Sequence, residues 1–235
     1  MALEAEHRPS DSPYIARVWR GRTSGIERMM SVATPHWELV VWSHRGLVHV
    51  AARGPETVAS VADVPDESDS FGISFSLGTS MPHLPVSRLV DTAVECPHAT
   101  ACEFVLRGEQ WSLPAFDNAE EFVGRLVRER VLVRDPLVGA AVQGESPRVG
   151  ARSVQRRVAA ATGLTQSAIR QIERARQAAI LLGEGAAALD VVHRLGFYDQ
   201  PHLARSLKRF IGRTATQLRR SDAAQPLSLL YKTGA

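Results

Sequence analysis

The chain has no apolar run approaching the ~20 residues that a membrane span needs, so no membrane partner is expected of its 235 residues. It has two cysteines, Cys96 and Cys102, too few for a disulfide framework at this size, and a reducing cytoplasm fits best. Met1 to Pro13 is polar and acidic, without the apolar stretch of a signal peptide. Motif-framed chemistry is missing too. No Ser-His-Asp set, phosphate-cradling glycine loop or carboxylate pair stands out, so an enzyme is not the expectation. What remains is 44% apolar residues and no low-complexity tract, the composition of a folded chain long enough for one large or two small domains.

The net charge of +3 hides an asymmetry. Residues 1–146 hold 13 arginines against 20 acids, and residues 147–220 hold 14 Lys and Arg against 4 acids. An acidic half is therefore joined to a basic half, and only the second is expected to meet a polyanion.

Residues 14–113 read mostly as short strands. Tyr14–Trp19, Gly46–Val50, Thr57–Val61 and Phe71–Leu77 alternate, and Trp37–Trp42 is a continuous run of the buried-strand kind. Turn-forming stretches at Ser43–Gly46, Arg53–Pro55 and Pro65–Ser70 separate them. The pattern predicts a small β-barrel or sandwich. His36, His44, His49, His83 and His98, with Cys96 and Cys102, invite a metal reading. The histidines lack the paired spacing of a zinc site, and two cysteines around one histidine give at most three soft ligands. No metal or other cofactor is expected. From Asp117 the period changes. Asp117 reads as an N-cap, Glu120 as its capping-box partner, and Phe122 and Leu126 as the face of a helix running to Arg128 and docked on the β half. Arg134-Asp135-Pro136 marks the domain boundary.

Beyond it the pattern is helical. Leu137–Val142 makes a short helix, and Gly144, Pro147 and Gly150 interrupt the chain before Ala151–Ala161. There Val154 and Val158 face inward, while Arg152, Gln155 and Arg156 lie away from them. Gly163 ends this helix. Thr165 caps the longest one, reaching about Leu182, with Ile169, Ile172, Ala175, Ala179 and Leu182 on its packed stripe and Arg170, Arg174 and Arg176 off it. About 18 residues at 1.5 Å each span about 27 Å, a rod able to hold two readers near one DNA turn apart, ~34 Å.

Leu189 to Gly212 carries the strongest signal: two helical segments around a turn at Gly196–Asp199. Val192 and Leu195 are expected to pack on Leu203, Leu207 and Phe210, with Phe197 filling the turn and Asp199 opening the second helix over Pro201. His202, Arg205 and Arg209 then fall on the opposite side. Arg205 and Gln200 have the hydrogen-bonding ends that base edges require, while Lys208, Arg209 and Arg213 are better placed for phosphates.

The run Gly196-Phe-Tyr-Asp-Gln-Pro-His-Leu-Ala-Arg-Ser-Leu-Lys-Arg, with Gly163-Leu-Thr and Glu173-Arg-Ala-Arg upstream, resembles the C-terminal DNA-binding domain of AraC/XylS-type bacterial transcription regulators over about residues 151–220. The resemblance implies two helix-turn-helix units joined by a long helix on adjacent major grooves of double-stranded DNA. It implies base reading by Gln200, Pro201, His202 and Arg205 in the second unit and by Arg152, Gln155 and Arg156 in the first. It also implies an N-terminal domain, cupin-like by analogy, that senses a small-molecule effector or forms a homodimer, and a contact with RNA polymerase. Two departures stand out. The positioning helix before Arg152 is eroded by Gly144, Pro147 and Gly150, which makes the first unit the weaker reader, and Gly212-Arg213-Thr214-Ala215 lacks the family's closing proline.

The expectation is thus an α+β protein. Residues 1–134 form a β-rich sensor or dimerisation domain ending in a helix, 135–221 a helix-turn-helix domain that inserts about Gln200–Ile211 into DNA, and 222–235 a tail. The alternative is a metal- or small-molecule-binding cupin-like protein or enzyme with an auxiliary basic helical module. A partner-binding helical module is a third class, disfavoured by the aligned Arg and His of the basic half.

Overall fold

The computed structural model describes residues 2–145, 149–220 and 226–228. Pro147 and nearly all of the 222–235 tail lie outside the described residues. The first half holds β1 (Ala2–Arg8), β2 (Ile15–Ser24), β3 (Arg28–Ser31), β4 (Glu38–His44), β5 (Leu47–Arg53), β6 (Ser60–Asp63), β7 (Ser68–Phe75) and β8 (Thr79–Ser80). A 3-10 turn (Val86–Arg88), β9 (Ala93–Glu95), β10 (Glu103–Leu106), β11 (Glu109–Ser112), α1 (Ala119–Arg128) and β12 (Val133–Arg134) follow. The second half is helical: α2 (Pro136–Val142), α3 (Ala151–Thr162), α4 (Gln166–Gly183), α5 (Ala188–Leu195), α6 (Gln200–Phe210) and α7 (Ala215–Arg220). The molecule is α+β.

One six-stranded antiparallel sheet, ordered β1-β2-β7-β4-β5-β9, dominates the first half. Its outer strands β1 and β9 do not pair with each other, so the sheet is open, and three two-stranded ladders accompany it. Register places Val18, Ile73, Leu39 and Ala52 side by side on one face. All four are buried, which pins the pairing, because a one-residue slip would turn them to the other face. Trp37 stacks on Phe75 with ring centroids 3.9 Å apart and donates its indole N–H to the Thr79 carbonyl at 2.7 Å. Phe104 and Trp111 from the β10–β11 ladder meet Phe122 of α1 and close the same core.

Some elements differ from the expectation. β1 comes from the acidic segment that lacks a hydrophobic pattern. It is held as an edge strand by pairing with β2 and by cross-strand ion pairs such as Arg20–Glu6 at 2.6 Å. Helix α1 starts at Asn118 rather than Asp117, and the Asn118 Oδ1 accepts from the Ala115 N–H. Glu120 does not reach back to cap the helix. It takes a bidentate pair from Arg8, which holds its carboxyl down at about 2 and ties β1 to α1.

Buried side chains form two clusters. One lies wholly within residues 15–132, and the other gathers the helices. The helical cluster also takes in Val32 and Ala33 from the first half, so the two halves meet in a seam. Across it the Ala33 N–H donates to the Phe210 carbonyl and the Ala59 N–H to the Arg209 carbonyl, both at 2.8 Å. The end of α6, whose last carbonyls have no partner within the helix, is thereby capped by the β half. Gly212, at φ +74°, lies so close to β3 that a Cβ there would stand 2.5 Å from the Met30 sulfur.

Candidate nucleic-acid interface

The second unit is built around the turn 196–199. Gly196 ends α5 in the left-handed conformation, φ +66°, which suits a residue without Cβ. Asp199 then caps α6 by accepting the His202 N–H at 2.6 Å, and Pro201 occupies the first turn, where no N–H is needed. Phe197 is buried in the turn. The Arg174 guanidinium of α4 lies 4.6 Å from its ring centroid and donates to the Gly196 carbonyl at 3.2 Å. Leu203, Leu207 and Phe210 are buried against Val191 and Val192. Leu195 packs against the same cluster but is only partly buried, and Val191, which sequence spacing left out, joins it there.

That packing leaves Gln200, Pro201, Ala204, Arg205, Lys208 and Arg209 exposed along α6. Their spacing of three and four residues makes one continuous face. His202 sits at the edge of this face, half-buried, with its ring edge-on to Phe197. Its Nδ1 accepts the Tyr198 N–H at 3.3 Å, and in the neutral ring that leaves Nε2 as a donor. Tyr198, 90% exposed beside the start of α6, was not singled out from the sequence. Its only signal there was its place between the buried Phe197 and the capping Asp199.

The first unit differs. Arg152, Gln155 and Arg156 are all exposed on α3, opposite the buried Val154 and Val158. The helix has no side-chain cap at Gly150, and Arg157 is engaged by Asp135 through two hydrogen bonds of 2.7 Å. Residues 143–150 separate α2 from α3, where 196–199 suffice between α5 and α6. No helix occupies that stretch among the described residues. Thr165 caps α4 as expected by accepting the Ala168 N–H, and α4 runs its 18 residues to Gly183.

Two cations need correction. Arg213, expected on phosphate, is 8% exposed and enclosed after the end of α6, because Gly212 turns the chain back onto β3. Arg176, expected off the packed stripe of α4, is 2% exposed and donates to the Ala33 carbonyl at 2.8 Å across the seam. Arg174 lies off the stripe as expected and is the turn clamp already described. The missing proline after Gly212 is made good by a capping box: Thr214 Oγ accepts from the Gln217 N–H, and Gln217 Oε1 accepts from the Thr214 N–H.

The histidines and cysteines of the first half are scattered. His36 is buried with Nδ1 on the Phe75 carbonyl at 2.7 Å, and His49 pairs with Glu95. Cys96 is buried, its thiol pushed up to about 11 by desolvation, and Cys102 is exposed. Among the described residues no three of His, Cys, Asp and Glu gather as a metal-binding group, and no helix is long and apolar enough to cross a membrane. A cavity of about 680 Å³ opens on the sheet face that carries Val41, Val48 and Phe71, under Phe116, with Arg20 and Arg22 on its rim.

A family model described as a helix-turn-helix domain matches residues 147–221. It supports the AraC/XylS-type reading of that segment and a DNA-binding transcription regulator. The matched segment begins just before α3 and leaves α2 outside. Comparisons with curated proteins and with solved structures gave no match.

Proposed function

We propose that the chain is a sequence-specific transcription regulator that inserts α6 into the DNA major groove. The observation that carries this is the uninterrupted exposed face of α6, on a helix capped by Asp199 and anchored by Leu203, Leu207 and Phe210. Gln200, His202 and Arg205, with Pro201 alongside, meet base edges, and Lys208 and Arg209 meet phosphates. Arg213 drops out of the contact set. Arg152, Gln155 and Arg156 of α3 form the second, weaker reader. Binding of the full chain to its own promoter region, in competition with unrelated DNA, tests the reading. Equal affinity for both would sink sequence specificity.

The cavity under Phe116 is a fitting seat for the effector expected of the first half. Its volume lies within the ~300–1,000 Å³ of small-molecule sites, and an apolar floor beneath a charged rim suits a small amphipathic molecule. A thermal-shift screen repeated on Phe116→Trp, which fills the space, checks it: a ligand shift that survives the substitution places the site elsewhere. Homodimerisation and a polymerase contact follow from the resemblance, and sedimentation of the chain with and without its duplex decides the first.

A further inference from the structure

A helix-turn-helix reader is held in place by a first helix packed across it. Helix α5 does this for α6. For α3 the upstream helix is α2, seven residues long, whose buried Val138 and Ala141 share the helical core with Val154 and Val158 and whose cap Asp135 holds Arg157. The other support comes from the β half. The 3-10 turn Val86–Arg88 and the residues after it lie against the C-terminal end of α3. Within this stretch Val86 and Leu89 are buried in the core of the β half, while the adjacent Val90 packs into the helical cluster. Gly163, the left-handed cap of α3 at φ +70°, is seated on the same stretch. A Cβ there would stand 2.5 Å from Val90 Cγ2 and 2.8 Å from Ser87 Cα. The contact sets the Val90 side chain and the Ser87 backbone against the helix cap, the kind that fixes where a helix points.

We infer that Ser87–Val90 is a positioning element of α3, acting together with the short α2, so that Arg152, Gln155 and Arg156 engage DNA only while the β half is docked. The inference rests on the proposal that α3 faces DNA. It makes the first reader conditional on the domain that carries the cavity. The second reader meets the β half as well, at the carbonyls of Arg209 and Phe210, but its start is framed by its own α5 and by Arg174.

The test uses the full chain and two duplexes. One is the complete duplex protected by the wild-type protein, and the other is shortened to the half protected by α6. The double variant Arg152→Ala/Arg156→Ala should weaken binding to the long duplex at least about fivefold, lower its salt slope, and leave the short duplex unaffected. Val90→Asp should reproduce that loss and slope, and adding it to the double variant should cost nothing more. Val90→Ile should restore wild-type behaviour. Val90→Thr, nearly isosteric, should give the same pattern at smaller amplitude, and it decides the matter should Val90→Asp also lose the short duplex. If the Arg152/Arg156 contribution survives in both polar variants at Val90, the positioning role is overturned and α3 remains a DNA contact. If the double variant binds the long duplex like wild type, α3 does not face DNA, and the inference falls with that reading.

Discussion

The two reading units use the same parts list and differ in what holds the reader. In the second, α5, the Gly196–Asp199 turn and the Arg174 clamp surround the start of α6 with elements close in sequence, and the β half meets its far end, through amide donors to the carbonyls of Arg209 and Phe210 and through Met30 against Gly212. In the first, the short α2 packs on α3, but α3 has a start without a side-chain cap and a cap glycine seated on Ser87 and Val90 of the β half, with Arg157 bound to Asp135. One reader is a local construction and the other a tertiary one. Local constructions tolerate changes elsewhere in the molecule, whereas tertiary ones report on them.

The largest effect should come from breaking the local construction. Leu207 is wholly buried between α6 and its supports, and Leu207→Ala should cost about 2–5 kcal/mol in urea unfolding. Val158→Ala in α3, also wholly buried, removes less apolar volume and should cost about 2 kcal/mol. Equal losses would mean that the first unit is packed as tightly as the second. Next in size is specificity. Arg205→Ala should cost about 1–3 kcal/mol at particular base pairs, and more than Arg152→Ala does. Lys208→Ala should weaken all sequences alike and reduce the salt slope by about 0.9. Affinities across single-base-pair substitutions, at two salt concentrations, check both, and a larger specificity loss at Arg152 would reverse the ranking of the two readers.

The same contrast explains what was legible in the sequence. The α5–α6 unit could be read residue by residue because its determinants lie within a few turns: apolar spacing, a cap aspartate, a turn glycine. The exposure of Arg152, Gln155 and Arg156 followed equally from the spacing of Val154 and Val158. What sequence reasoning missed is whatever a distant partner decides. Arg176 stands four residues after Ile172 and seven after Ile169, so periodicity places it on the packed stripe despite its charge, and the Ala33 carbonyl across the seam accepts from it there. Arg213 is enclosed because β3 packs onto Gly212. The strand at Ala2–Arg8 exists through its pairing with β2 and its ion pairs, and its own hydrophobic pattern gives no sign of it. The 3-10 turn carries no motif at all.

The seam itself should respond to acid. His36 is buried there with its pKa lowered by desolvation, against the opposing pull of Glu173, whose carboxylate lies 3.9 Å from Nε2, and with repulsion from Arg17 and Arg176. A group depressed in the fold binds its proton more readily when unfolded. Stability should therefore be full above the ordinary histidine range and fall as pH drops below about 6.5. The slope per titrating histidine is at most about 1.4 kcal/mol per pH unit. His36→Asn keeps a donor for the Phe75 carbonyl and removes the titration, so its urea midpoint should vary less between pH 7.5 and 5.5. An unchanged slope would put the acid sensitivity elsewhere.

The smallest predicted effect is the most direct probe of the asymmetry. Gly150 precedes α3 with φ −57° and ψ 142°, close to the values of Thr165, which caps α4 successfully. A Cβ at Gly150 would meet nothing within 4 Å. Gly150→Ser therefore adds a hydroxyl acceptor for the N–H groups of the first turn and removes some freedom from the unfolded chain, without a steric cost. The gain should be a few tenths of a kcal/mol. Because α3 is held by the 86–90 stretch at its other end, a firmer start should matter more when that stretch is weakened. In a Val90→Thr background, Gly150→Ser should recover part of the lost long-duplex affinity, while in the wild-type chain it should leave that affinity nearly unchanged. Equal benefit in both backgrounds would show that the start of α3 and its seat on the β half act independently, and the first reader would then be a local construction after all.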